Sequence, residues 1–392
     1  MVRDSGIGQS GPVNTLIAPV PASLRQSDIR LIGQAIHSRG LSPIRLDIGE
    51  PDLPASPHVI EAAMLAAGGP TSYTPAAGTD AFRDAAADYL RVRHALEVSP
   101  DDIVIGNGAT GALMSCFQLL TRAGDEWLVP VPAFPCYRTQ IALAGGVAVG
   151  YPLAAEHDWI PGLADLEDRI TSRTRGIVIN TPGNPTGAVI PAETLSAIAG
   201  LAGRRGLAIL SDEVYADMAF DAPAVSALAV DRARTFSVFS LSKTFSMTGW
   251  RVGFTVAPPG TGAQLAAVNS QNMASANSVA QAVAIAALTG PWADVETRRE
   301  TFARRRDAVH AWLGERSIPH TTPGGAFYQP LPLQSGTDSF DAAMSLLDDG
   351  VALVPGRAFV ESAAQPFLRM SLAADIPILL DGLAIVEQRF WR

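Results

Sequence analysis

Two cysteines, Cys116 and Cys136, are all that the 392 residues contain. They form no CxxC pair, which excludes a disulfide scaffold and a thiolate-rich zinc framework and suits a reducing compartment. Basic charge is also scarce: 29 Lys plus Arg against 38 Asp plus Glu leave a net charge of −9. That balance disfavours an extended nucleic-acid or anionic-membrane surface, while leaving room for a local anion site. Long apolar runs are missing. The stretch of lowest charge, Ala274 to Gly290, is interrupted by Asn277, Ser278 and Gln281 and reads as a buried helix, not a membrane span. The opening MVRDSGIGQSGPVNT has no apolar signal core and reads as a loose arm. These absences together predict a cytoplasmic protein with neither membrane nor nucleic-acid partner. The six histidines, His37, His58, His94, His157, His310 and His320, carry no HExxH or other paired spacing, so no metal is expected.

What is present is a length sufficient for two or three domains, 47% hydrophobic residues, and a regular alternation of elements. Short runs rich in β-branched residues occur at Ile103–Ile105, Trp127–Val131, Gly176–Ile179, Leu207–Leu210, Thr235–Phe239 and Val252–Val256. Helical stretches such as Gly111–Leu120 and Ala192–Gly203 separate them, with Gly124 and Gly206 placed as helix stops. The alternation predicts βαβ units and a largely parallel sheet. After Pro291 the texture changes to a long charged helix, Arg298 to Trp312, followed by mixed elements. The expected organisation is an arm with part of the small domain over 1–45, a large domain over 46–290 and a small α+β domain over 291–392.

Four segments carry chemistry. Gly106-Asn107-Gly108-Ala109-Thr110-Gly111 matches GxGxxG between a strand and a helix, but Asp125-Glu126 precedes the next strand instead of ending it. A nicotinamide site is thereby disfavoured; a phosphate held by free backbone N–H groups at a helix start remains, beside the plainer reading of a Gly-rich turn. Asn184-Pro185-Thr186-Gly187 follows a strand and alone reads as a turn. Asp212-Glu213-Val214-Tyr215 puts an acid and a phenol where α/β sheets place ligands, with a helix cap as the competing reading. Ser240-Leu241-Ser242-Lys243 sets a lysine among small and apolar residues directly after a strand, where desolvation makes an amine nucleophilic, and Arg251 follows eight positions later.

In this order and spacing the segments resemble the class I/II aminotransferases of fold type I, which bind pyridoxal 5′-phosphate. The resemblance runs from Leu46-Asp47-Ile48-Gly49-Glu50-Pro51-Asp52 through Tyr73-Thr74-Pro75 to Pro323-Gly324-Gly325-Ala326-Phe327-Tyr328 and Phe367-Leu368-Arg369-Met370-Ser371. It implies an α/β fold: a large domain whose mostly parallel sheet is flanked by helices, plus a smaller α+β domain. It also implies that Lys243 forms a Schiff base with the cofactor, that Asp212 keeps the ring nitrogen protonated, and that Tyr215 and Asn184 donate to the ring oxygen. Phe134 matches the stacking aromatic. Ala109, Thr110, Ser240 and Arg251 match the phosphate site, and Tyr73 a residue from the neighbouring subunit of a homodimer. Arg369 matches the clamp on the substrate carboxylate, helped by Gly49 and Asn184. The reaction implied is a ping-pong transfer of an amino group between an amino acid and a 2-oxo acid, with Lys243 as proton carrier. Rival outcomes on the same fold are β-elimination, cyclisation or oxidation of an amino acid. A transcriptional sensor lacks a basic DNA-binding domain, and a dehydrogenase leaves Lys243 and Asp212 without a task.

For specificity, the arm near Leu16 to Val20 and the Tyr73 region are the expected walls. No second arginine can be placed there from sequence, which points toward neutral amino donors. Arg357 and Val360, in a segment where many relatives carry Gly after Phe359, are expected near the substrate wall.

Overall fold

The computed structural model describes residue 24 and residues 27–69, 71–360 and 366–392. Its centre is a seven-stranded sheet in the order Ile103–Asn107, Val252–Val256, Thr235–Ser240, Ala208–Asp212, Thr174–Asn180, Glu126–Val131 and Val147–Pro152. Every pairing is parallel except the two made by Val252–Val256, which runs against both neighbours. Ile177, Val178, Ile209, Leu210 and Val238 are almost wholly buried, as required of strands covered by helices on both faces.

The topology collects chemistry at one edge. Asn107, Val131, Asn180, Asp212 and Ser240 all end strands of the same direction and so share a margin of the sheet. Arg251 reaches that margin from the other side, because it immediately precedes the reversed strand. A mostly parallel sheet was expected from the alternating runs. The reversal, the order of the strands and the Val147–Pro152 edge strand were not.

Local signals explain the element ends. Thr79 caps the Asp80–His94 helix by accepting from Phe82 N–H, and Arg91, Arg93 and His94 sit in its last turn, where the dipole favours cations. Gly206 ends the Ala192–Arg205 helix at φ +66°, as expected. Gly124 does not stop a helix: the Gly108–Leu120 helix ends earlier, at Thr121, and Gly124 occupies a turn. The Ala-rich stretch holds the expected buried helix over Ser278–Thr289, with Val283, Ala284 and Ala287 buried, while Ala274, at positive φ, ends the preceding Gly262–Met273 helix. Among the described residues no helix is long and apolar enough to cross a membrane.

The C-terminal part contains an antiparallel sheet ordered Val354–Pro355, Phe367–Ser371 and Tyr328–Pro332, and the long helix spans Ala293–Glu315. Ile44–Arg45 pairs in parallel with Val351–Ala352. Leu46, Phe302, Phe327, Tyr328 and Leu368 share a core with Val214 and Tyr215, so the edge carrying Asp212 is packed directly against this part.

Candidate active site

The sheet edge and the C-terminal part enclose a cleft of about 460 Å³. Lys243, Asp212, Tyr215, Asn184, Ala109, Thr110, Phe134, Ser240, Arg251, Gly49 and Arg369 all line it. Residues distributed over 320 positions of sequence are thereby brought together, because each stands at a strand end or on a loop facing that edge. Tyr73 does not line the cleft and is 91% exposed. The arm segment Leu16 to Val20, expected as a wall, lies outside the described residues.

Lys243 sits on the Leu241–Thr244 turn that follows the Thr235–Ser240 strand. Its Nζ donates to Gly49 O at 2.6 Å, and burial lowers its pKa to about 8. One signal in the sequence makes it conspicuous: 28 of the 29 basic residues are Arg, so Lys243 is the single lysine of the chain. Asp212 is buried, and desolvation raises its pKa to about 6 against the opposing hydrogen bonds of Tyr137 O–H, at 2.5 Å, and Val214 N–H, at 3.3 Å. Tyr137 also sets its ring edge-on to Phe134, with centroids 6.0 Å apart.

At the other end, Gly108 at φ +67° opens the helix whose first turn holds Ala109 and Thr110. First-turn N–H groups have no intrahelical acceptor and favour an anion. Arg251 lies against the start of this helix: a Cβ on Gly108 would collide with its Nη2. Its guanidinium meets carbonyls, Thr248 O at 2.9 Å and Asn107 O at 3.5 Å, and forms no salt bridge among the described residues. Ser240 Oγ accepts from Ser242 N–H, leaving its own hydroxyl proton to donate.

Arg369 is 3% exposed and forms no salt bridge among the described residues. It donates to Asn184 Oδ1 at 3.2 Å and Asp47 O at 2.8 Å, its Nε has no partner there, and its guanidinium lies 4.4 Å from the Tyr328 ring centroid. A buried cation held only by neutral oxygens is prepared for an incoming carboxylate. Tyr328 O–H and Tyr215 O–H are hydrogen-bonded at 2.8 Å, and Gly49 is required because a Cβ there would meet the Tyr328 hydroxyl at 2.9 Å.

Three expectations change. Tyr137, Tyr328 and Asn180 belong to the cleft and were not singled out as site residues. A second arginine beyond the phosphate and carboxylate sites is present: Arg45 lines the cleft. Arg357 does not, because it pairs with Asp28 and Asp338 and lies over the Phe340 ring, fastening surface helices instead. Among the described residues no group of three or more histidine, cysteine or acidic side chains could hold a metal.

A partly buried amine, a buried carboxylate, a guanidinium beside a helix start and a buried arginine without a salt bridge among the described residues thus line one cleft. Residues 42–379 match the family described as aminotransferase class I and II, and the chain belongs to that family. It is 36% identical over 345 residues to the aspartate/prephenate aminotransferase of Thermus thermophilus, covering 87% of this chain and 89% of the other. It is 32% identical over 378 residues to the aspartate aminotransferase of Thermotoga maritima, covering 96% and 98%. Among solved structures it is similar to the Thermus thermophilus aspartate aminotransferase with maleate (TM-score 0.89, 33% identity, 95% of this chain and all of that one). It is also similar to an aromatic aminotransferase from Pyrococcus horikoshii (TM-score 0.85, 32% identity, 92% and 98%). The protein is a pyridoxal-phosphate-dependent aminotransferase of the type I fold, which moves an amino group between an amino acid and a 2-oxo acid by a ping-pong mechanism.

Proposed function

We propose that Lys243 is both the covalent anchor of pyridoxal phosphate and the base that moves the substrate proton. The observation that carries this reading is the chain's single lysine, partly buried in the cleft without a salt bridge among the described residues and with its pKa lowered to about 8. When bound, the cofactor supplies an electron sink that acidifies the substrate Cα–H bond. Asp212 holds the proton on the ring nitrogen, with Tyr137 fixing its carboxylate. Phe134 covers the ring, and Tyr215 with Asn184 binds its oxygen. The Ala109 and Thr110 N–H groups, the Ser240 hydroxyl and the Arg251 guanidinium take the phosphate.

Arg369 orients the substrate by its α-carboxylate, with Asn184 and the Gly49 backbone beside it. The Lys243 amine is half-neutral at about pH 8 and largely neutral above it, so in mildly alkaline solution it can take the Cα proton and return it one position away. The described residues before 46 and those of 291–392 form the small domain, and the described residues of 46–290 the cofactor-binding domain; the pairing of Ile44–Arg45 with Val351–Ala352 supports this division. The working unit is a homodimer in which Tyr73 serves the neighbouring cleft. In support, Tyr73 is exposed and does not line its own cleft, and Met64 and Leu65 on the preceding helix are about three-quarters exposed. Cys116 and Cys136 are free thiols, in keeping with a cytoplasmic setting.

Borohydride reduction of the cofactor-loaded protein, followed by peptide mapping, tests the anchor. A pyridoxyl group on Lys243 is the expected result, and a protein that binds the cofactor yet carries no adduct there would refute it.

A further inference from the structure

Arg45 stands at the end of the Ile44–Arg45 strand and lines the cleft that holds Arg369. Its Nε and Nη2 donate to the two Asp47 carboxylate oxygens at 2.7 and 2.9 Å, a side-on fork. The two partners differ in exposure: the Asp47 side chain is 5% exposed and that of Arg45 is 41%. The carboxylate is therefore consumed by the fork, while the other edge of the guanidinium stays open. Nη1 of Arg45 meets no acceptor among the described residues. Asp47 also ties this group to the substrate clamp, because its carbonyl accepts from Arg369 Nη2 at 2.8 Å. One residue thus fixes two guanidinium groups relative to each other, by its side chain and by its backbone.

We propose that Arg45 is a specificity-determining residue that binds the side-chain carboxylate of an acidic amino acid, aspartate or glutamate, or of the matching 2-oxo acid. The assignment rests on the aminotransferase reading of the cleft. The physical ground is pre-organisation. Asp47 holds the long Arg45 side chain in one orientation, so little rotamer entropy is lost when a second carboxylate meets the free Nη1–Nη2 edge. Asp47 also offsets the charge of Arg45, which disfavours capture of the α-carboxylate at the wrong guanidinium and leaves Arg369 as the stronger site. A neutral side chain leaves the Arg45 edge to water and gains nothing from it.

The test compares holoenzyme of the wild type with Arg45→Leu and Arg45→Gln, after circular dichroism shows all three folded. Two ratios are measured: kcat/KM for the better of aspartate and glutamate over that for alanine, and the calorimetric Kd of butyrate over that of succinate. Both ratios are expected to exceed one in the wild type and to fall at least tenfold in both variants, with the kinetic loss mainly in KM. Arg45→Lys, which keeps the charge without the fork, is expected between them. Ratios unmoved by the substitutions, or a wild type that handles aspartate and glutamate no better than alanine, would overturn the proposal. If the wild type transaminates no amino acid, the functional reading fails on its own, and the succinate-to-butyrate ratio still decides the role of Arg45.

Discussion

The proposed role of Lys243 concentrates the chemistry in one amine, and the surroundings of that amine make the proposal measurable. Burial lowers its pKa to about 8 from 10.5, and only the neutral amine attacks a carbonyl. Capture of added pyridoxal phosphate by cofactor-free protein is therefore expected to accelerate up to about pH 8 and then level off; acceleration continuing toward 10.5 would show an ordinary lysine. The same shift has a stability consequence of definite sign. Between about 8 and 10.5 the unfolded chain binds more protons at this site than the folded one, so this group's contribution to stability rises with pH across that window. Lys243→Ala should abolish turnover while preserving the far-ultraviolet circular dichroism, and no second lysine exists to rescue it. Tyr137→Phe removes the donor that opposes desolvation of Asp212, so the pKa of Asp212 rises further from about 6 and its charged form holds the ring proton less well. We expect weaker cofactor binding and a rate lowered by roughly 10-fold or more, read by cofactor titration and kcat. Tyr137 was not legible in the sequence because a tyrosine three positions after Phe134 on a short helix looks like core. Its function comes from Asp212, 75 positions away. Lys243, Asp212 and Arg369 were legible because their residue types stand out against apolar strand ends.

At the scale of elements, the site follows from strand direction. The apolar runs revealed nearly every strand of the large sheet, since burial on both faces leaves a continuous apolar stretch. Direction and order depend on pairings distant in sequence, and so the reversal of Val252–Val256 was hidden. That reversal is what delivers Arg251 to the margin where the forward strands end. Gly108 then has two duties: it takes a positive φ and leaves room for the guanidinium. Gly108→Ala should cost about 1–2 kcal/mol from backbone conformation alone. It should also push Arg251 off the helix start and raise the Kd of pyridoxal phosphate more than that of pyridoxal. Equal weakening of both ligands would show that the phosphate site had not been touched. Arg45 escaped notice for a related reason, since a charged residue ending a two-residue strand looks solvated until the pairing with Val351–Ala352 brings it to the cleft.

For the whole molecule, the proposal is a homodimer in which Tyr73, exposed on its own chain, serves the neighbouring cleft. Hybrid dimers of Lys243→Ala with Tyr73→Ala test this. One of the two clefts of each hybrid would contain Lys243 from one protomer and Tyr73 from the other, and half of the dimers are hybrids after equal mixing, so about a quarter of the wild-type activity should return. No gain over the parent variants would place Tyr73 outside the neighbouring site. The central claim, that this cleft carries out amino-group transfer on a cofactor bound to Lys243, is tested most directly by the absorption spectrum of the loaded protein. It is recorded before and after adding single amino acids with no 2-oxo acid present. The account predicts a band of lysine-bound pyridoxal phosphate that at least one amino acid converts fully to the amine form of the cofactor, with an equivalent of 2-oxo acid released. A band that no amino acid converts, or one that converts with release of ammonia, would contradict it.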